Sequence, residues 1–101
     1  MNPAMTLDGI VTPIIHLNGD RPEVLLTNLN DAYRAVRAAI EAVRQCSPNG
    51  RNYYPEPGRL ARAQAQHDER LAKLLAVKQS IRDEAIALQR IVTSARTTML
   101  S

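Results

Sequence analysis

Apolar residues recur over most of the chain at alternating steps of three and four, the spacing of one face of an α-helix. The first such stretch predicts a helix that follows the turn at Asn18-Gly19 and ends at about Gln45. Its apolar positions are Leu25, Leu29, Ala32, Val36, Ala39, Val43 and Cys46, with a flanking stripe at Leu26, Tyr33 and Ile40. This apolar face is wider than one partner helix would cover.

A second helical stretch begins near Pro57 or Gly58 and is predicted to end at about Val92. Its apolar positions are Leu60, Ala63, His67, Leu71, Leu74, Val77, Ile81, Ala85, Leu88 and Val92. A short connection between two such helices predicts an antiparallel hairpin. The second helix is the longer one and should extend past the first, and the segment before the first helix is a candidate to cover the surplus.

Local signals place the ends of the first helix. Asp20 is expected to cap its free N–H groups, Glu23 to complete a capping box, and Pro22 to occupy the first turn. Pro48 and Gly50 should stop it, because neither residue favours a continuing helix.

Polar residues on the second helix have ordinary structural explanations. We expect His67 to be a core histidine with its hydrogen bonds satisfied. The acid pairs Asp68-Glu69 and Asp83-Glu84 should lie on a solvated surface. Glu69 is also spaced for an i,i+4 ion pair with Lys73.

The segment Ile10–Leu17 is short and rich in β-branched residues, which predicts a strand. Pro13 limits it to an edge position, because proline donates no ladder hydrogen bond. No other segment reads as a strand, and a lone strand is not stable in water. It should therefore pair with a copy from another protomer or lie against the helices.

These elements predict a mainly α fold: an amino-terminal strand and then an antiparallel two-helix hairpin that oligomerises into a helical bundle, most simply a two-fold dimer. Residues 1–9 form a flexible lead, residues 10–92 the folded domain, and residues 93–101 a fraying tail. The chain has 101 residues and contains no Phe or Trp, so its core should be thin and completed between chains.

Composition narrows the class of protein. The single cysteine, Cys46, excludes an internal disulfide, and no metal-ligand spacing involves His16 or His67. We see no signal peptide and no membrane-spanning run, so a soluble cytoplasmic protein without membrane contact is expected. The net charge of +3 is too small to favour nucleic acid as a partner.

Arginine dominates the cations, with eleven Arg against two Lys. Codon bias would produce the same excess, but Arg is also the side chain that grips phosphate bidentately. The connection between the helices concentrates it: Arg44, Arg51, Arg59 and Arg62 stand there against one acid, Glu56.

The same connection carries groups suited to a nucleotide-like ligand. Arg51 could hold a phosphate, Tyr53 or Tyr54 could stack on a base, and Asn49 and Asn52 could donate hydrogen bonds. An equally weighted interpretation is a rigid turn with one tyrosine packed into the core.

Three further residues are secondary candidates for contacting this ligand: Arg59, His16 and Asn18. A neighbouring chain could supply His16 and Asn18. His16 is more often a solvated or structurally bonded residue. No nucleophile has a base beside it and no phosphate-loop motif is present, so we predict neither catalysis nor a cofactor.

The segments Ile10–Gly19 and Asn49–Pro55 resemble a group of small phage and prophage proteins that pair an IVTPxIHLNG opening with an NGRDYYP loop between two helices. Asn52 stands where that motif has Asp. A phage origin implies the cytoplasm of an infected or lysogenic bacterium. It also suggests a nucleotide sponge of the anti-Thoeris or anti-CBASS kind, which sequesters an immune signal without catalysis.

The preferred function is therefore sequestration of a small anionic, nucleotide-derived ligand, such as a cyclic ADP-ribose isomer or a cyclic oligonucleotide, by a homo-oligomer. The main alternative is a phage interaction module that docks on a host or virion protein. A third, weaker alternative is nucleic-acid binding through the arginines, which would depend steeply on salt.

Overall fold

The computed structural model describes residues 9–100, and the side chains in that range except those of residues 57 and 97–100. Two long helices dominate it: α1 spans Pro22–Arg44 and α2 spans Pro57–Leu100, with a short 3-10 helix at Gly50–Asn52 between them. The prediction of a mainly helical hairpin is confirmed. Of the predicted lead over residues 1–9, all but Gly9 lies outside the described residues.

The predicted apolar face of α1 is the face that packs on α2. Ile40 is buried, and the other predicted positions within the helix are all partly buried: Leu25, Leu26, Leu29, Ala32, Tyr33, Val36, Ala39 and Val43. Cys46 is exposed because α1 ends at Arg44, so its position no longer follows the helix face.

The predicted cap of α1 is wrong. The residue at the cap position is Arg21, which makes no side-chain cap hydrogen bond, and Pro22 is the first helical residue. Asp20 is therefore one position too early to cap the helix. The Glu23 carboxylate lies instead 3.5 Å from Arg96 Nη2.

The start of α2 at Pro57 is as predicted, but α2 continues to Leu100 rather than ending near Val92. Residues 93–100 contain neither Pro nor Gly to stop the helix. The ion pair between Arg96 and Glu23 also joins this last part of α2 to the start of α1. The helix therefore continues through residues of weak helix preference, and this exposed ion pair lies within the extension.

The two helices are antiparallel and unequal. The Glu23–Arg96 pair sets the start of α1 beside the end of α2, and Lys78 lies beside Glu41 near the end of α1. With 23 and 44 residues, α1 and α2 are about 35 and 66 Å long. The first part of α2, from Pro57 to about Val77, therefore projects beyond α1.

The connection over residues 45–56 continues past the end of α1 and lies along this projecting part of α2 as far as Pro57. A Cβ atom built on Gly50 would lie 3.6 Å from Leu60 Cδ2. The surplus of α2 is thus covered in part by the connection, and not by the amino-terminal segment, which lies at the other end of the hairpin.

No strand is assigned within residues 9–100, and Ile10–His16 has no ladder partner there. Ile15 lines a hollow together with Ile91 and Val92, so this segment lies against α2, the second of the two arrangements expected for it.

All six residues of 83–88 are at least partly buried. One neighbouring helix cannot cover every side of α2, so α1 is not the only element that shields this stretch.

The apolar core is small. Among the residues whose side chains the structure describes, only Ile40, Leu88 and Val92 are buried apolar residues. Large apolar side chains meanwhile stay exposed, and four of them lie in the amino-terminal segment: Val11 at 84%, Ile14 at 83%, Ile15 at 37% and Leu17 at 98%. Val77, which the sequence placed on the packed face, is instead 47% exposed, although Leu71 and Leu74, nearer the start of α2, are partly buried.

Two polar residues of α2 are buried: His67, whose predicted place in the core is confirmed, and Asp83, which the sequence placed on the surface. The His67 side chain is buried but its Nδ1 has no hydrogen-bond partner, so the expected satisfied histidine is not what forms. Asp83 is also buried, within the shielded stretch of α2, and accepts a 2.8 Å hydrogen bond from Gln79 Nε2. Its predicted solvation is wrong, whereas the predicted Glu69–Lys73 ion pair forms at 2.9 Å.

The orphaned nitrogen of His67 predicts that the change His67→Leu increases stability. An unsatisfied buried polar atom costs about 1–3 kcal/mol, and leucine fills similar space without one. We expect the free energy of unfolding in urea to rise by about 1 kcal/mol. A less stable Leu variant would show that His67 has a polar partner in solution.

The hydrogen bond to Asp83 predicts that Gln79→Ala lowers stability by about 1–3 kcal/mol, because a buried carboxylate loses its donor. The matched control is Gln89→Ala. Gln89 Nε2 bonds Thr93 Oγ1 at the same spacing on the same helix, but at an exposed position. We expect this control to change the free energy of unfolding by less than about 0.5 kcal/mol. Equal losses in both variants would contradict the assignment.

Candidate functional site

The connection between the helices is ordered around Asn49. Its side-chain Oδ1 accepts hydrogen bonds from the Arg51 backbone N–H at 2.9 Å and from Arg51 Nε at 3.4 Å. Backbone bonds from Asn52 to Asn49 and from Tyr53 to Gly50 close the 3-10 helix that follows. An asparagine at this position caps the turn, so the Asn49 oxygen has a structural role.

The second half of the connection forms a shallow hollow of about 230 Å³, which we call the loop hollow. It is lined by Asn52, Tyr53, Tyr54, Pro55, Glu56 and Arg59. Tyr53 is partly buried, whereas Tyr54 is 86% exposed. The structure therefore brings together four of the predicted ligand-binding residues: Asn52, Tyr53, Tyr54 and Arg59. The alternative of a tyrosine packed into the core is supported only in part, because Tyr53 is partly and not fully buried.

One ion pair controls the charge of the loop hollow. Arg59 Nε lies 3.0 Å from Glu56 Oε2, and both side chains are 60% exposed. The only cation that lines the hollow is thus paired with an acid of the same turn. A phosphate that approaches Arg59 would have to compete with this carboxylate.

The other arginines of the predicted cluster are dispersed. Arg51 is not part of the hollow and is bonded to Asn49. Arg44 pairs with Glu41 at 2.7 Å on α1. A Cβ atom on Gly58 would meet Arg62 Nη1 at 3.6 Å, which places that guanidinium along the first turns of α2. The four arginines are neighbours in sequence but not one site.

His16 and Asn18 lie at the opposite end of the hairpin from the loop hollow. The Gly19 N–H donates to the His16 carbonyl at 3.1 Å, and the Asn18 N–H donates to His16 Nδ1 at 3.3 Å. Gly19 is tightly placed beneath the ring, since a Cβ atom there would be 3.1 Å from His16 Nε2. This is the structurally bonded histidine that the sequence favoured, and within one chain it cannot reach the loop hollow.

A larger basic hollow lies between the two helices and was missed by the sequence reasoning. This helix groove has a volume of about 380 Å³. Three arginines and one glutamate reach it from one side of α1, and one lysine reaches it from α2: Arg34, Arg37, Glu41, Arg44 and Lys78. The signal was present in the sequence, because the four α1 residues recur at steps of three and four.

Comparison with known proteins finds no match: no protein-family model, curated protein or solved structure matches the chain. The resemblance to phage proteins therefore stays a prediction. Among the described residues, no helix is long and apolar enough to cross a membrane. The loop hollow and the helix groove have to be interpreted from their own side chains.

Proposed function

We propose that the protein is a non-catalytic, self-associating binding protein for a small anionic ligand of nucleotide type, held at the loop hollow. The observation that supports this most is the convergence of Tyr53, Tyr54 and Arg59 on one hollow. The exposed Tyr54 ring is free to stack on a base, and stacking tolerates any base because each has a π-face.

The remaining groups suit the phosphate and the sugar. The Arg59 guanidinium can hold a phosphate bidentately once Glu56 releases it, and exposed ion pairs cost little to break. Asn52 contributes an amide that both donates and accepts. Arg51 and Asn49, which lie just outside the hollow, would contact only a ligand that extends past it.

The size of the hollow is consistent with a site shared between chains. Its volume of about 230 Å³ is smaller than the roughly 300–1,000 Å³ of a complete small-molecule site. A neighbouring protomer would supply the missing wall, and its His16 and Asn18 are candidates because they cannot come from the same chain.

Self-association is supported by the exposed apolar side chains. The projecting part of α2 exposes Leu75 at 40% and Val77 at 47%, and the amino-terminal segment exposes Val11, Ile14 and Leu17. The two groups lie in different parts of the hairpin, and each is an exposed apolar surface of the kind found at interfaces. The unpaired backbone of that segment could also add to a strand from a second copy.

In the phage setting that the sequence resemblance suggests, such a protein would act as a sponge for an immune signalling nucleotide in the bacterial cytoplasm. The second candidate is a module that docks on a host or virion protein. The same exposed apolar segment favours it, because a foreign chain could cover Val11, Ile14 and Leu17 as well as a second copy could.

Two variants that change the charge of the loop hollow in opposite directions test the proposed site. Glu56→Gln should tighten nucleotide binding up to about fivefold, because Arg59 no longer has an internal partner. Arg59→Gln should weaken it by about tenfold or more. Calorimetric titration with a panel of cyclic ADP-ribose isomers and cyclic dinucleotides measures both. A folded wild-type protein that binds none of the panel would contradict the proposal.

Self-association predicts that the wild-type chain sediments at micromolar concentration as a dimer or larger species, and not as the 11.2 kDa protomer. Ile14→Asp should weaken the assembly, because it places a charge in the exposed apolar segment. Ile14→Val is the matched control and should leave the assembly unchanged. A wild-type protein found only as the protomer would contradict this part of the proposal.

A further inference from the structure

We propose that the helix groove is a binding site for a compact polyphosphate group, separate from the loop hollow. Its cations are presented by two different helices, with Arg34, Arg37 and Arg44 on α1 and Lys78 on α2. A ligand held among them would connect α1 to α2.

The shape of the groove follows from the helix register. Positions 34, 37, 41 and 44 recur every three to four residues and lie on one side of α1. Lys78 closes the groove from α2, and the buried Ile40 lies among its lining residues. The volume of about 380 Å³ falls within the range of small-molecule sites.

The charge of the groove is strongly unbalanced. Four cations and one acid line it, so its formal charge is 4 − 1 = +3. Glu41 is already paired with Arg44 at 2.7 Å. Arg34 has a looser contact with Asp31 at 3.8 Å, which is outside the groove lining. Among the described residues, Arg37 and Lys78 have no acidic partner within 4 Å.

Lys78 is the residue that indicates a ligand. The residue is partly buried between the helices, and among the described residues it has no acidic partner within 4 Å. The guanidinium groups that line the same groove carry charge of the same sign. A bound anion would offset this repulsion, so the groove should favour an anion with several charges over a single carboxylate.

The dimensions favour a compact anion over nucleic acid. The three cations of α1 lie within the eleven residues from Arg34 to Arg44, about 15 Å of helix, and Lys78 is the one cation that α2 adds. No aromatic side chain lines the groove, so it would recognise charge and phosphate geometry without a base. This separates it from the loop hollow, where tyrosines are present.

The test is calorimetric titration of the full chain with sodium pyrophosphate, at constant ionic strength set with sodium chloride. Wild-type protein should bind pyrophosphate and unfold at a higher temperature in its presence. Arg37→Gln and Lys78→Gln should each weaken binding about tenfold or more, because each removes a charged contact. Arg70→Gln, an exposed arginine outside the groove, is the matched control and should bind as the wild type does.

A further variant separates lost binding from lost folding. Glu41→Gln removes the only acid from the groove lining and should tighten pyrophosphate binding, a gain that misfolding cannot produce. Arg59→Gln in the loop hollow should leave pyrophosphate binding unchanged, so failure of the loop proposal would be seen separately. Absence of pyrophosphate binding, or equal weakening in Arg37→Gln and Arg70→Gln, would overturn the inference.

Discussion

The unequal length of the two helices determines most of what this chain exposes. Apolar positions continue along the whole of α2, but α1 accompanies only its second part. Among the described residues, the connection over residues 45–56 lies beside the projecting part, with Gly50 next to Leu60. Burial of apolar surface is the main stabilising contribution in folding, so a hairpin with three buried apolar residues in its described range has surface left to cover.

This constraint also separates the two basic surfaces. The helix groove lies along the last part of α1, up to its end at Arg44, where both helices are side by side. The loop hollow forms where the connection turns into α2, beyond the end of α1. The groove has two cations without an acidic partner among the described residues, Arg37 and Lys78, and no aromatic ring in its lining, whereas the hollow has two tyrosine rings and one paired cation. The proposed phosphate site and the proposed nucleotide site therefore need different probes.

Helical periodicity was sufficient to predict the packed faces of α1 and α2 and the position of Pro57. It could not predict what depends on how the helices align. Val77 was expected on the packed face and is exposed, and Asp83 was expected on the surface and is buried. In the same way, neighbours in sequence such as Arg44 and Arg59 were expected at one site, but helix direction sends them to different hollows. Lys78 lines the groove only because of how α2 aligns with α1, which the sequence of either helix alone does not predict.

The central claim is that the projecting part of α2 is covered by a second copy of the chain. Hydrogen–deuterium exchange measured over a series of protein concentrations tests it most directly. The account predicts that backbone amides between residues 60 and 77 exchange more slowly as concentration rises, because association adds protection there. Exchange in this segment that is the same at every concentration would contradict the account.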